Sequence, residues 1–149
     1  MGYYVTLDKC DIHIDAENHE AAYRALCKLN WQNNLKGGGR SPRPDPLPEG
    51  PNEYQWFSWM AWDYHEQCKD LEAILAELGF EAITDSDGNI TYLTYDSKTG
   101  DEEYFFDALA PYIRAESTMD WSGEDGVHWR WYFDGRTMHT LEGRIVYGD

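Results

Sequence analysis

The chain has 149 residues, enough for one domain that buries its own core without disulfide or metal staples. Twenty-eight acidic residues against twelve basic ones leave a formal charge of −16, a surface that repels nucleic acid and anionic membranes and favours basic partners. No stretch approaches the roughly 20 apolar residues of a membrane-spanning helix and no signal-peptide pattern opens the chain, while three cysteines, odd in number and without metal-ligand spacing, place it in a reducing cytoplasm.

Tyr3 to Leu7 read as an opening strand, ended by Asp8, Lys9 and Asp11. Asp15 is a good helix N-cap, and Glu17 suits the first turn. The helix is expected from Ala16 to about Asn30, burying Ala22, Ala25, Leu26 and Leu29. Residues 35 to 55 form the one long irregular segment. Gly37 to Gly39 are followed by Pro42, Pro44, Pro46, Pro48 and Pro51, which forbid a regular element and predict a mobile surface or contact loop. Lys36, Arg40 and Arg43 make it the local basic cluster of an acidic chain, but no phosphate-loop pattern is present.

The densest aromatic run follows, with Tyr54, Trp56, Trp59 and Trp62 as candidate partner anchors and a core plug as the plainer reading. Asp63 with Glu66 reads as a capping box for a second helix. Its stripe is Cys68, Leu71, Ile74, Leu75 and Leu78, stopped by Gly79. Residues 80 to 95 read as a hairpin around Asp85-Ser86-Asp87-Gly88. Calcium is excluded there, because the first and twelfth loop positions would be Ile83 and Thr94. Asp101, Glu102 and Glu103 open a third helix carrying Phe105, Phe106 and Leu109, and are expected on its exposed first turn as an acidic contact patch.

The C-terminal third carries the clearest pattern. Val127, Trp129, Trp131 and Phe133 alternate with His128, Arg130 and Tyr132, which means a strand with one buried face. A three-residue loop, Glu124-Asp125-Gly126, pairs Trp121 with Trp129 and Met119 with Trp131, whereas a four-residue loop would set Asp120 against Trp129. Asp134-Gly135 signals a two-residue turn that places Met138 opposite Trp131 and His139 opposite Arg130. The element order predicts an α+β fold: a mostly antiparallel sheet with a C-terminal β-meander and about three helices packed on one face.

Catalytic chemistry finds little purchase. The five histidines form no metal-binding pair, no serine sits in a nucleophile elbow, and no cofactor motif is present. Trp56 to Met60, Leu78-Gly79-Phe80, Tyr95 to Gly100 and Trp121 to Gly126 resemble a family of small acidic proteins from bacteria and their phages, over most of the chain after Pro51. That resemblance implies a phage or mobile-element setting and carries over no catalytic residue. Two functions follow as expectations. The first is a non-enzymatic inhibitor that occupies a basic surface of a host defence or nucleic-acid enzyme. It would use Tyr54, Trp56, Trp59, Trp62, Asp101, Glu102, Glu103, Glu124 and Asp125, and would touch no nucleic acid itself. The second is a binder or enzyme for a small anionic or nucleotide ligand, using Lys36, Arg40, Arg43, His128, Arg130 and His139.

Overall fold

A computed structural model describes residues 2–143. A five-stranded antiparallel sheet forms its floor, from β1 (Tyr4–Asp11), β6 (Asp96–Lys98), β7 (Ser117–Gly123), β8 (His128–Phe133) and β9 (Met138–Gly143), in the spatial order β6-β1-β7-β8-β9. The helices α1 (His19–Leu29), α2 (Tyr64–Gln67), α3 (Leu71–Leu78) and α4 (Glu102–Leu109) accompany it, with a separate hairpin of β4 (Glu81–Thr84) and β5 (Ile90–Thr94). The α+β class and the meander are as the sequence predicts.

One contiguous core joins the layers, drawing Val5, Leu7, Cys10, Met119, Trp121, Trp131 and Phe133 from the sheet and Leu26, Leu75, Phe105 and Phe106 from the helices. The opposite face of the sheet, from Thr6 through Arg130 to His139, carries polar side chains and is left uncovered by the described residues. Among the described residues no helix is long and apolar enough to cross a membrane.

The β7–β8 hairpin keeps the expected register, with Trp121 opposite Trp129 and Met119 opposite Trp131. Gly126 takes the left-handed conformation at φ 86° that the three-residue loop requires. Trp131 is buried, but Trp129 is only half-buried and Val127 is exposed in the loop, so the buried face is shorter than the alternation suggests. The next turn differs. Phe133 pairs with Met138, Trp131 faces Thr140, and His139 faces Tyr132 rather than Arg130. The cause is Asp134, whose carboxylate accepts the Arg136 and Thr137 amides at 2.9 and 2.8 Å and so builds a four-residue connection. A slip of two residues preserves the faces and changes every partner.

Strand β1 also outruns its expected end. Pairing with β7 shifts between Leu7 and Lys9, a bulge that absorbs Asp8 and returns Cys10, Ile12 and Ile14 to the core side. The first helix is preceded by a 3-10 turn over Ala16–Asn18, and Asp15 does not cap it. Arg114 reaches Asp15 at 2.8 Å, and the Ala16 amide donates to Asn89 Oδ1 at 2.8 Å instead. The second expected helix is split: Cys68 is extended, and Asp70, not Asp63, caps α3 by accepting the Ala73 amide. Gly79 ends α3 at φ 109°, as its position predicts.

The Gly/Pro segment is tied down at both ends. The short strands β2 (Gly38–Gly39) and β3 (Gln55–Trp56) pair, Arg40 N donates to Tyr54 O at 3.1 Å, and buried Asn52 donates to Gly50 O at 3.1 Å while accepting the Tyr54 amide at 2.9 Å. Proline removes backbone donors, yet asparagine side chains supply replacements here.

Two expectations follow. Truncating Trp131 to Ala removes a buried ring that packs on Phe106 and Trp121, and should cost about 3–5 kcal/mol in urea unfolding. A loss below about 1 kcal/mol would take this strand out of the core. Alkali should also destabilise the fold. Burial pushes the Cys10 thiol up from 9.0 to about 11, and the Cys68 thiol up from 9.0 to about 12. Burial likewise raises the Tyr95 phenol from 10.0 to about 12. From pH 9.0 upward the unfolded chain loses these protons first, so it binds fewer than the native state and stability falls with rising pH. The urea midpoint should drop between about pH 9 and 11, and Cys10→Val should flatten part of that drop. A midpoint that holds level across the window contradicts the burial of these groups.

Candidate functional site

The aromatic run between Tyr54 and Trp62 divides by direction. Phe57 and Met60 enter the core, Tyr54 and Trp56 lie half-buried, and Trp59 and Trp62 stand 56% and 40% exposed. Trp59 holds a left-handed backbone at φ 72°, a conformation that costs a bulky residue about 1–3 kcal/mol. Its indole lies directly on Gly100, where a Cβ would have no room. Trp62 stands near a second exposed ring: the Trp62 carbonyl accepts Asn30 Nδ2, which also meets His65 Nδ1, and Trp31 packs edge-on against His65 at 4.8 Å. Trp31, 53% exposed, is an accessible aromatic that the helix pattern alone did not single out.

The acidic trio does not form the exposed patch expected of it. Asp101 turns inward, and one carboxylate oxygen accepts the amides of Gly37 at 2.9 Å and Ser58 at 2.8 Å. Glu102 is 5% exposed, with one oxygen accepting the Thr99 hydroxyl and the other the Gly100 amide. Glu103 alone faces solvent. The reason is local: Thr99, Gly100 and the loop leading to Ser58 present N–H and O–H groups that need acceptors, and the nearest carboxylates satisfy them. Glu124 and Asp125 are exposed at the β7–β8 turn but are engaged as well. Glu124 accepts the Tyr4 amide at 3.1 Å, and Asp125 accepts the Tyr3 hydroxyl and the Val127 amide.

The basic set is scattered. Lys36 donates to Asn30 O at 2.8 Å and Asn33 Oδ1 at 2.7 Å beneath the loop, and burial lowers its ammonium from 10.5 to about 8. Arg40 meets Glu53 at 3.2 Å and stacks over Tyr54, while Arg43 donates to Arg40 O. On the open sheet face Arg130 forms a two-pronged pair with Asp120, its second nitrogen at 2.9 Å. His139 turns to Asp134 at 2.8 Å, and Asp134 is held well below the usual carboxylate range by the turn amides first and His139 next. His128 and Arg130 do line one cleft of about 400 Å³, with Asp8, Lys9 and Asp120, but Lys36, Arg40, Arg43 and His139 do not border it. The expected cluster of two histidines flanking an arginine is therefore not assembled. The Asp85 turn is a turn: its carboxylate accepts the Asp87 and Asn89 amides, and no cluster of potential metal ligands occurs among the described residues.

A second cleft, of about 300 Å³, opens on the helix side of the sheet beside the first turn of α4. Trp121, Trp129 and Trp131 form its floor, the exposed Glu103 and Thr140 stand along its rim, and the buried Glu102 lies behind Glu103. Trp121 and Trp129 stack at 6.4 Å and 10°, and Trp131 leans on Trp121 at 5.0 Å. The buried Trp121 Nε1 has no hydrogen-bond partner among the described residues. Sequence reasoning assigned these rings wholly to the core. The half-burial of Trp129 depends on where α4 begins, which no period in the sequence reports.

Fold and surface together define an acidic α+β protein whose accessible features are tryptophans and uncompensated carboxylates. Comparison with protein-family models, with curated proteins and with solved structures finds no match to this chain.

The burial pattern separates the acidic trio in a measurable way. Glu102→Gln should cost about 1–3 kcal/mol, because an amide turns a donor toward a buried amide or hydroxyl. Asp101→Ala should cost about 1–2 kcal/mol through two lost acceptor bonds. Glu103→Gln should stay within about 0.5 kcal/mol. Thermal melts of the three variants check the order, and a Glu102→Gln protein as stable as Glu103→Gln would contradict the inward placement.

Proposed function

We propose that this protein is a non-enzymatic binding protein that acts by occupying a basic surface on its partner, of the kind carried by nucleic-acid and host-defence enzymes. In this reading it works as an inhibitor in a bacterial cytoplasm, in a phage or mobile-element setting. The observation that carries the proposal is the charge balance together with its local pairing. Arg24, Arg40, Arg114 and Arg130 are each matched to a carboxylate of their own chain, and most of the carboxylates that make up the −16 charge stand exposed. Such a field accelerates encounter with a basic groove and repels nucleic acid. The exposed rings of Trp31, Trp59 and Trp62 supply anchors of the residue type that dominates interface energies. The three free thiols accord with a reducing compartment. The phage setting rests on the motif resemblance alone, and the inhibitory role on the idea that an acidic surface occupies a partner's basic groove.

A small-ligand function is the other reading. Its cations are spread over the loop, the sheet face and a turn, and Arg130 is already neutralised by Asp120, so the binding protein is the better supported of the two.

Capture from host lysate, followed by association kinetics with each captured protein, tests the proposal. The partner should be basic, and its on-rate should fall steeply between about 50 and about 500 mM salt, as the Debye length shrinks from roughly 14 to 4 Å. An on-rate indifferent to salt would reduce the acidity to a solubility device.

A further inference from the structure

We infer that the cleft beside α4 is the pocket for an arginine side chain of the basic partner, a deepening that rests on the binding-protein reading above. Its floor is aromatic: Trp129 is half-buried with Trp121 stacked against it, and Trp131 closes the inner end. Its rim is acidic, with Glu103 free to solvent and Glu102 behind it, and among the described residues no Lys, Arg or His borders it. On β9, Glu142 is the cross-strand neighbour of Trp129, which adds a third carboxylate on the same face. Against this, the N-terminus of α4 contributes roughly half a positive charge, screened within one turn. Two full carboxylates in that same first turn outweigh it.

The occupant's chemistry follows from what the walls offer. Flat indoles attract a planar cation through their π faces, and desolvation in a cleft strengthens the attraction. Carboxylate and hydroxyl oxygens at the rim accept hydrogen bonds, and a guanidinium is a rigid fork of donors that is weakly hydrated and stacks well. An ammonium is a strongly hydrated point charge and gains less from a flat floor. The cleft volume of about 300 Å³ accommodates such a group and its stem. A partner residue flanking the arginine would meet Trp59, whose exposed indole rests on Gly100 at the cleft wall. The buried N–H of Trp121 gives no support to an anion, because its own burial keeps it from the open mouth.

The test uses the full chain, isotopically labelled, titrated at low salt with a capped peptide bearing a run of arginines and with its all-lysine counterpart. Indole N–H signals, assigned from single Trp→Phe variants, locate binding. The arginine peptide should shift Trp129 most and bind several-fold tighter than the lysine peptide. Trp129→Leu should weaken it about tenfold, and Glu103→Gln about threefold. Glu72→Gln, an exposed carboxylate on α3, should leave it unchanged. Thr140→Arg, an exposed position that would fill the cleft with a cation of this chain's own, should abolish the Trp129 shift, and it keeps the test open if Trp129→Leu fails to fold. Equal binding of the arginine peptide by wild type, Glu103→Gln and Thr140→Arg overturns the inference, as do shifts spread evenly over all indoles or a preference for lysine. That failure is separable from failure of the binding-protein reading. A natural basic partner that still associates in a salt-steered manner with Thr140→Arg sinks the cleft alone, whereas salt-indifferent association sinks the wider reading.

Discussion

Trp121 is the contact on which the layers of this protein converge. It is 1% exposed and meets Phe80 and Tyr95 from the β4–β5 region at 6.1 and 5.6 Å, and Trp131 from the neighbouring strand at 5.0 Å. Phe106 of α4 closes the circuit, 5.0 Å from Phe80 and 5.6 Å from Trp131. Sheet, hairpin and helix are thus held through one set of rings, each pair adding about 0.5–1.5 kcal/mol beyond the area it buries. The arrangement depends on register. If β7 slipped by one residue, Asp120 and Ser122 would point at Phe80 and Tyr95, and the core would lose its centre.

That dependence explains which parts of the fold were legible in the sequence. The β7–β8 hairpin could be read because alternation and a left-handed glycine agree on one loop length. The next connection could not. Asp134-Gly135 reads as a two-residue turn, yet the Asp134 side chain finds better use holding the Arg136 and Thr137 amides. A short-range hydrogen-bond competition decided the loop, and hydrophobic parity is blind to it, since a shift of two leaves every face unchanged. A side-chain bond likewise set the break at Cys68, where Asp70 outcompetes Asp63 as a helix cap, whereas the one-residue bulge at Asp8 does change parity, from Val5 and Leu7 to Cys10 and Ile12. Pattern fixes faces; side-chain hydrogen bonds to the backbone fix boundaries.

The candidate site was legible to a smaller degree, and for a related reason. Charge can be counted from a sequence, but what each charge touches cannot. Asp101, Glu102 and Glu103 are equivalent in a composition and very different in space: two serve as acceptors for the local backbone or a hydroxyl, and one is free. Arg130 and His139 share a face as read, but Asp120 and Asp134 claim them separately. The tryptophans were legible as a group and not as individuals. Whether a ring in the run from Trp56 to Trp62 faces inward depends on turns with no period, such as the left-handed Trp59.

An acidic protein of this kind exerts charge at two ranges, and its carboxylates divide accordingly. Turn amides that hold a carboxyl below its usual range keep it charged, so Asp134 still contributes to the field felt by an approaching partner. It has fewer lone pairs left for a short-range bond, and moving it would expose the amides it serves. Steering is therefore a property of the whole −16 charge and tolerates single substitutions. Short-range recognition falls to the few carboxylates without internal duties that stand beside an accessible ring. Among the described residues Glu103 beside Trp129 meets both conditions, which is why a surface rich in acid can still present one chemically distinct place.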